Sequence, residues 1–182
     1  QEIDVLNQEF EIAGEEAELT EGAISLTVKS AIEQMISISH NYAALLLTEN
    51  VGVSNIKSFL EKNNFDKSNV GTPPKTTAQD LGMFFEKMYK GELVNKKYSD
   101  EMIEILKEQK LNDGLPKYLP KEIQIAHKTG DIGWFKHDAG IVFTPKGDYI
   151  IAVLSESNFP VGAQDKIASV SKAVYGYFNN RQ

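Results

Sequence analysis

The chain of 182 residues contains no cysteine. This absence excludes disulfide bonds, thiolate catalysis and zinc sites with cysteine ligands, but it leaves the compartment open, because exported proteins can also lack cysteine. The three histidines, His40, His127 and His137, do not have the spacing of a metal-binding motif. We therefore expect neither a metal nor any other cofactor.

Long apolar runs and basic patches are missing as well. No run approaches the ~20 apolar residues that a membrane-spanning helix needs, and no basic and then apolar leader opens the sequence. If the protein is exported, we expect a leader to have been removed or to precede Gln1. The formal net charge is −7, with lysines scattered among acids, so nothing electrostatic points to nucleic acid as a partner.

The remaining composition is that of a globular protein. Hydrophobic residues make up 41% of the chain and charged residues 25%, and the length suffices for one domain with a core of its own. We expect a single domain over residues 1–182. Within it, the acidic and weakly patterned residues 1–24 are expected to form a loop or short strands.

Apolar side chains recur at helical spacing between residues 25 and 110. The pattern predicts helices that start at Ser25 or Thr27, near Tyr42, at Val53, at Thr76 or Thr77, and at Ser99. The second helix is apolar nearly all round, so we expect it to be central and buried. Thr76, Thr77 and Asp80 are expected to be structural caps of the fourth helix.

From Ile123 onward the apolar period changes from 3.6 to 2. We expect three strands, starting at Ile123 and covering 139–143 and 149–154, and then a closing helix over about 163–178. The third strand is apolar on both faces, which favours an interior position in the sheet. The inner face of the closing helix is expected to carry Ile167, Val170, Val174 and Tyr177. The fold class is α+β, with helices packed on an antiparallel sheet of three strands.

Two short motifs carry the chemistry-bearing side chains. Ser39-His40-Asn41 lies where one predicted helix ends and the next begins, and His127-Lys128-Thr129-Gly130 lies on the first predicted strand. A hydroxyl, an amide and a lysine that converge on one cleft suit a reaction that binds a carboxylate-bearing acyl substrate and moves protons during acyl transfer.

Each motif also has a structural interpretation. Ser39 and Asn41 would serve equally well as helix caps, and Lys128 and Thr129 as an exposed strand end. The occurrence of both motifs in this order favours a site. We expect His127 to orient its strand rather than to catalyse, and His40 to point into solvent.

These motifs resemble those of the serine β-lactamases and the penicillin-binding D,D-peptidases, most closely the class A-like branch. The resemblance runs from about Ser25 to the C-terminus and includes two further segments, Thr76-Thr77-Ala78-x-Asp80 and 137–142. It implies a β-lactamase/transpeptidase-like fold, a β-lactam or a peptidoglycan-derived peptide as substrate, and an extracytoplasmic location: secreted, periplasmic or anchored to the cell envelope.

The resemblance implies two catalytic residues in this chain. Ser39 would relay a proton toward the leaving nitrogen during acylation. Lys128 would polarise the Ser39 hydroxyl and attract the carboxylate of the substrate. A fixed ammonium near a hydroxyl lowers the cost of moving the hydroxyl proton.

The resemblance implies substrate-binding roles for five further residues. Asn41 would hydrogen-bond the substrate amide and a catalytic lysine, and Thr129 would donate to the substrate carboxylate. Gly130 would leave room for substrate along the strand edge. The backbone N–H of Asp131 would supply one of two oxyanion-hole donors, and His137 would help to bind a carboxylate.

The sequence also departs from the family pattern. The family places a Ser-x-x-Lys helix with its nucleophile, and two strands of the sheet, ahead of the Ser-x-Asn motif. Residues 1–27 contain no substitute for these parts, and we expect no helix of this chain to begin with the tetrad. The domain is therefore expected to be N-terminally incomplete and inactive alone, with strands and nucleophile supplied by a missing N-terminal segment or by a partner chain.

A second departure concerns deacylation. The segment over 53–77 is too short for the class A loop that carries a glutamate general base, so we expect an acyl-enzyme to hydrolyse slowly.

An alternative to the enzyme is a non-catalytic module that binds cell-wall peptide or a protein. The intact Ser-x-Asn and Lys-Thr-Gly motifs favour the enzyme, because a module without chemistry would not need them.

Overall fold

The computed structural model describes residues 25–160 and 162–180. The loop or short strands expected over 1–24 lie outside these described residues. In chain order the elements are α1 (Val28–Ser37), α2 (Asn41–Val51), α3 (Val53–Lys62), α4 (Ala78–Tyr89), α5 (Lys96–Lys107), β1 (Gln124–Ile132), β2 (Phe135–Phe143), β3 (Tyr149–Glu156) and α6 (Ala163–Asn179).

The three strands form an antiparallel sheet in the order β1-β2-β3. Lys128 of β1 is paired with Ala139 of β2, which in turn is paired with Ala152 of β3. Helices α4 and α5 pack on one face of the sheet and α6 on the other. The α+β class, the three-stranded antiparallel sheet and the closing helix are thus confirmed.

Each face of the sheet has its own apolar core. On the first face, the buried side chains come from α4, α5, the loops that precede these two helices, and the sheet: Phe65, Phe85, Met88, Leu93, Ile103, Leu106, Ala126, Ala139 and Ile141. On the second face, α6 and the loop before β1 cover the sheet with Leu115, Leu119, Ile125, Val142, Tyr149, Ile151 and Ile167. Because successive side chains of a strand alternate between faces, neighbouring residues of β1 enter different cores.

The predicted caps Thr27 and Thr77 are confirmed, but Thr76 and Asp80 do not cap α4. Their side chains hydrogen-bond Ser68 instead, and Asp80 also accepts the backbone N–H of Lys67. One predicted helix start is also wrong. Thr27 and Thr77 accept hydrogen bonds from the backbone N–H groups three residues on, at the starts of α1 and α4. Helix α5 begins at Lys96 and not at Ser99, because the side chain of Asn95 caps it. Ser99 lies inside the helix, fully buried, and donates its hydroxyl hydrogen to the carbonyl of Leu93.

The expectation that α2 is central and buried is wrong for the described structure. Only Tyr42 and Ala43 of this helix are buried, and the leucines over 45–47 are half-buried. The main neighbours of α2 among the described elements are α1 and α3, which leave part of its apolar surface accessible.

The expected inner face of α6 needs correction, whereas the interior position expected for β3 stays a prediction. Within the described sheet β3 pairs only with β2, and its other edge has no strand partner among the described residues. In α6, Ile167 faces the core as expected, but Val170 and Tyr177 are exposed. The inner face instead follows the small residues Ala168 and Ser171, which allow the helix to approach the sheet closely.

Tyr149 provides a test of the second core. Its side chain is 6% exposed, its ring stacks on Phe178 at 4.7 Å, and its hydroxyl has no hydrogen-bond partner among the described residues. Burial raises the pKa of Tyr149 to about 12. An unpartnered buried hydroxyl costs about 1–3 kcal/mol.

We therefore expect Tyr149→Phe to raise the free energy of unfolding by about 1 kcal/mol, because it removes the unpartnered group and keeps the ring. Urea unfolding monitored by circular dichroism measures this change. The matched control is Tyr89→Phe, which removes an exposed hydroxyl that donates to Asp148 at 2.9 Å. A loss of stability in Tyr149→Phe would show that this hydroxyl has a partner after all.

Candidate functional site

Ser39 lies in the tight turn between α1 and α2. Helix α1 ends at the Ile38 cap, and α2 is capped by His40, whose Nδ1 accepts the backbone N–H of Ala43 at 3.2 Å. Ser39 has a φ of 58°, a left-handed conformation that is uncommon for residues other than glycine. The expectation that His40 points into solvent is therefore wrong, since its ring is the cap of α2.

The Ser39 hydroxyl oxygen accepts a hydrogen bond from the ammonium of Lys128, which lies 89 positions further along the chain. Nζ of Lys128 lies 2.5 Å from Oγ of Ser39 and 2.7 Å from the carbonyl oxygen of Thr129, so it donates to both. Burial lowers the pKa of Lys128 to about 8, and the negative charge of Asp138 opposes that effect. A lysine that titrates this close to neutral pH can both hold and release a proton at its hydroxyl partner.

The other residues of the Lys-Thr-Gly strand are divided between the two faces of the sheet. Thr129 is 9% exposed, and its side chain lies on the face opposite that of Lys128, so only its backbone carbonyl reaches the ammonium. Asp131 is also on the Thr129 side, where its carboxylate pairs with Lys136 of β2.

Gly130 and His137 are register partners on the Lys128 face. A Cβ atom on Gly130 would lie 3.4 Å from Cβ of His137, so the histidine fills the space beside this glycine. Nδ1 of His137 accepts the backbone N–H of Ser155 at 3.1 Å. Asn41 is half-buried in the first turn of α2, two residues after Ser39.

A buried polar group that the sequence did not single out lies behind Lys128. Asp138, which is fully buried, accepts from Nδ1 of His127 at 2.8 Å and from the backbone N–H of Leu115 at 2.8 Å. Nε2 of His127 lies 3.1 Å from Oδ1 of Asn112. The signal in the sequence was a carboxylate in β2 directly before the apolar run that starts at Ala139.

Two Ser-x-x-Lys tetrads occur in the chain, which corrects the expectation that none opens a helix. Ser54 and Lys57 lie in the first turns of α3, and Ser169 and Lys172 lie in α6, on the sheet face opposite Lys128. All four side chains are exposed, and within the described structure no hydrogen bond joins them to Ser39 or Lys128. These tetrads lack the buried setting that would activate a nucleophile.

Comparison with known families gives a match over most of the chain. The model of the beta-lactamase enzyme family matches residues 5–178. The chain belongs to the beta-lactamase enzyme family. The resemblance inferred from the Ser-x-Asn and Lys-Thr-Gly motifs is thus confirmed.

Solved structures share the fold of this beta-lactamase family member. A β-lactamase from Sphaerobacter thermophilus superposes with a TM-score of 0.82 at 21% identity, covering 90% of this chain and 67% of that one. A PBP-A mutant, solved as its acyl-enzyme complex with penicillin G, gives 0.82 at 26% identity, covering 89% and 65%. A class A β-lactamase from Bacteroides cellulosilyticus gives 0.79 at 24% identity, covering 97% and 69%.

The chain therefore spans about two thirds of the length of these structures. A comparison with the curated proteins found no match. Among the residues that the structure describes, no helix is both long and apolar enough to cross a membrane, and no group of three or more acidic or histidine side chains is placed to hold a metal ion.

The left-handed turn at Ser39 gives a stability test. We expect both Ser39→Ala and Ser39→Gly to lose the hydroxyl that accepts from Lys128. Only alanine also keeps the strain of a Cβ atom at positive φ, so the glycine variant should be more stable than the alanine variant by about 1 kcal/mol. Urea unfolding of the two variants measures the difference. An alanine variant as stable as the glycine variant would mean that residue 39 is not held in this conformation.

The buried ammonium gives a pH test. The ordinary pKa of lysine is 10.5 and that of Lys128 is about 8, so between these pH values the unfolded chain binds more protons than the folded chain. The contribution of Lys128 to the free energy of unfolding therefore rises as the pH rises through this window, by up to about 3 kcal/mol.

We expect the difference in unfolding free energy between the wild type and Lys128→Met to grow in favour of the wild type from pH 7.5 to pH 10. Urea unfolding across this range measures it. Lys172→Met, which removes an exposed lysine, is the control and should show no such slope. A flat difference for Lys128→Met would mean that the ammonium is solvated.

Proposed function

We propose that this chain carries the proton-relay and substrate-binding part of a penicillin-recognising acyl-transfer site. The observation that supports the proposal is the 2.5 Å contact between Nζ of Lys128 and Oγ of Ser39, made by a half-buried lysine whose pKa is about 8. Lys128 lies in the middle of β1 and not at the strand end that its structural interpretation required. A purely structural lysine on an edge strand would keep its ammonium in water.

In the proposed reaction, the nucleophile loses its proton and bonds to the acyl carbon of the substrate. Ser39 passes a proton to the leaving nitrogen as the bond between that nitrogen and the acyl carbon breaks. Lys128 supports this transfer, because its ammonium donates to the Ser39 oxygen and stabilises the negative charge that develops there. The same ammonium attracts the carboxylate of the substrate. Asn41, in the first turn of α2, would hold the substrate amide beside this pair.

The substrate would lie along β1, whose outer edge has no strand partner within the described sheet. Gly130 leaves that edge open, the N–H of Asp131 would donate to the developing oxyanion, and His137 borders the same face. Thr129, which follows Lys128 on this edge strand, would donate its hydroxyl hydrogen to the substrate carboxylate. β-Lactams and peptidoglycan stem peptides both offer the required carboxylate and acyl group.

The nucleophile is proposed to come from outside these 182 residues. In the described structure, neither Ser-x-x-Lys tetrad forms a hydrogen bond with Lys128. The serine and lysine side chains of both tetrads are exposed. We propose that residues 1–182 form one domain whose remaining strands and nucleophile come from a preceding segment or a partner chain. Acyl transfer on cell-wall peptides or β-lactams would place the protein outside the cytoplasm.

The test is acylation of a longer protein in which a Ser-x-x-Lys segment precedes this chain. Incubation with penicillin G should add the mass of one intact penicillin, and this chain alone should gain none. Lys128→Met should slow adduct formation by about 100-fold or more, as expected for the loss of a positioned proton-transfer group. Lys172→Met, with an exposed lysine, should acylate at the wild-type rate.

Two results would count against the proposal. No adduct in the longer protein, together with reversible binding of a cell-wall peptide, would favour the non-catalytic module. Equal acylation rates in Lys128→Met and the wild type would mean that Lys128 takes no part in the reaction.

A further inference from the structure

The proposed acyl transfer makes no use of His127 and Asp138, although both are buried directly behind Lys128. Their side chains are 1% and 0% exposed and lie on the sheet face opposite the Lys128 side chain. Burying an ionisable pair is costly unless each member finds hydrogen-bonding partners, so this pair calls for an explanation.

The hydrogen-bond partners of the His127 ring indicate which of its two nitrogens carry hydrogen. Asp138 offers Oδ1 to Nδ1 of His127, and Asn112 offers Oδ1 to Nε2. The Asn112 amide is fixed in this orientation, because its Nδ2 donates to the carbonyl of Gln109 at 3.2 Å. A neutral imidazole would present a lone pair to one of the two oxygens, whereas an imidazolium donates to both.

The surrounding backbone is shaped to this arrangement. The second oxygen of Asp138 accepts the N–H of Leu115, whose carbonyl accepts the hydroxyl of Ser171 from α6 at 2.8 Å. A Cβ atom on Gly114 would lie 2.3 Å from Oδ2 of Asp138, and one on Gly140 would lie 2.6 Å from Cβ of His127. Only glycine at these positions lets the loop and β2 approach the pair so closely.

We propose that His127 is a buried imidazolium which, held by Asp138 and Asn112, positions the β1 segment that carries Lys128. The three side chains connect β1 to β2 and to the loop over 112–115. Because Lys128 follows His127 in the strand, a shift of the ring would move the ammonium away from Ser39. The inference builds on the proposed function by naming what positions its cation, and it is tested without any substrate.

Among the described residues, Asp138 is the only titratable group that hydrogen-bonds the ring. The buried residues of α6, which covers this face, are Ala163, Ile167, Ala168 and Ser171. The loop contributes the uncharged Asn112, and Lys128 lies on the far side of the sheet. Asp131 of β1 and Lys136 of β2 lie further along the same face, where they pair with each other.

The first experiment is ¹⁵N NMR of the histidine rings of this chain at pH 7.5. His40 and His137 are internal controls, because Nδ1 of each accepts a backbone N–H and must be unprotonated. We expect His127 alone to show hydrogen on both ring nitrogens. The variants His40→Asn and His137→Gln assign the control signals without touching the buried pair. One unprotonated nitrogen on His127 would overturn the imidazolium.

The second experiment follows the titration of Lys128 by NMR of its side chain. Asp138→Asn leaves one of two donors, Nδ1–H or the Leu115 N–H, without an acceptor. The strand segment should then shift, the ammonium should become solvated, and the midpoint should rise from about 8 toward 10.5. Asp148→Asn, which changes an exposed carboxylate in a turn, is the matched control and should leave the midpoint at about 8.

The direction of the shift decides the outcome. Loss of a nearby negative charge alone would lower the midpoint, so a fall or no change in Asp138→Asn would overturn the positioning role. If that variant does not fold, Asn112→Ala decides in its place, since Asn112 is exposed and its loss is milder. It should raise the midpoint by a smaller amount, because Nε2 of His127 then lacks its acceptor oxygen. An unchanged midpoint in Asn112→Ala would also overturn the proposal.

Discussion

The ammonium of Lys128 has to stay half-buried while it donates to the hydroxyl of Ser39, and the other features of the site follow from this constraint. A buried charge costs free energy, which here appears as the lowered pKa of the lysine. A buried ammonium is tolerated only where neighbouring groups supply acceptors at fixed positions. The turn at Ser39 provides the oxygen, and the carbonyl of Thr129 provides a second acceptor.

Strand β1 contributes side chains to both faces of the sheet at residues 127 and 128. Because side chains alternate along a strand, Lys128 enters the core formed with α4 and α5, while His127 enters the core covered by α6. The family match and the superposition on β-lactamases and PBP-A agree with this architecture. The fold thus places on adjacent residues of β1 the lysine that we propose assists proton transfer and the histidine of the buried His127–Asp138 pair.

Much of this arrangement could be predicted from local patterns. The change from helical to alternating spacing near Ile123 predicted the sheet, and the threonines at 27 and 77 predicted two helix starts, because both signals are written within a few residues. The Ser-x-Asn and Lys-Thr-Gly motifs predicted which residues to examine for a site. The contact between Ser39 and Lys128 is consistent with their joint appearance.

The features that were missed depend on partners far away in the chain. Asn95, and not Ser99, caps α5. Ser99 is buried and donates its hydroxyl hydrogen to the carbonyl of Leu93. The apolar composition of α2 does not indicate how much of its surface the neighbouring helices cover. The buried role of Asp138 depends on His127 and Leu115, which reach it only through the tertiary fold.

Gly140 has a consequence for how the hairpin assembles. It lies opposite His127, and a Cβ atom there would come within 2.3 Å of the Ala126 carbonyl oxygen. If β2 slid along β1 by two residues, Asp138 or Val142 would replace the glycine and collide with the same atoms. Hydrophobic alternation tolerates such a slip, because it keeps every side chain on its face. Steric exclusion at one residue therefore selects the observed strand register over registers shifted by two residues.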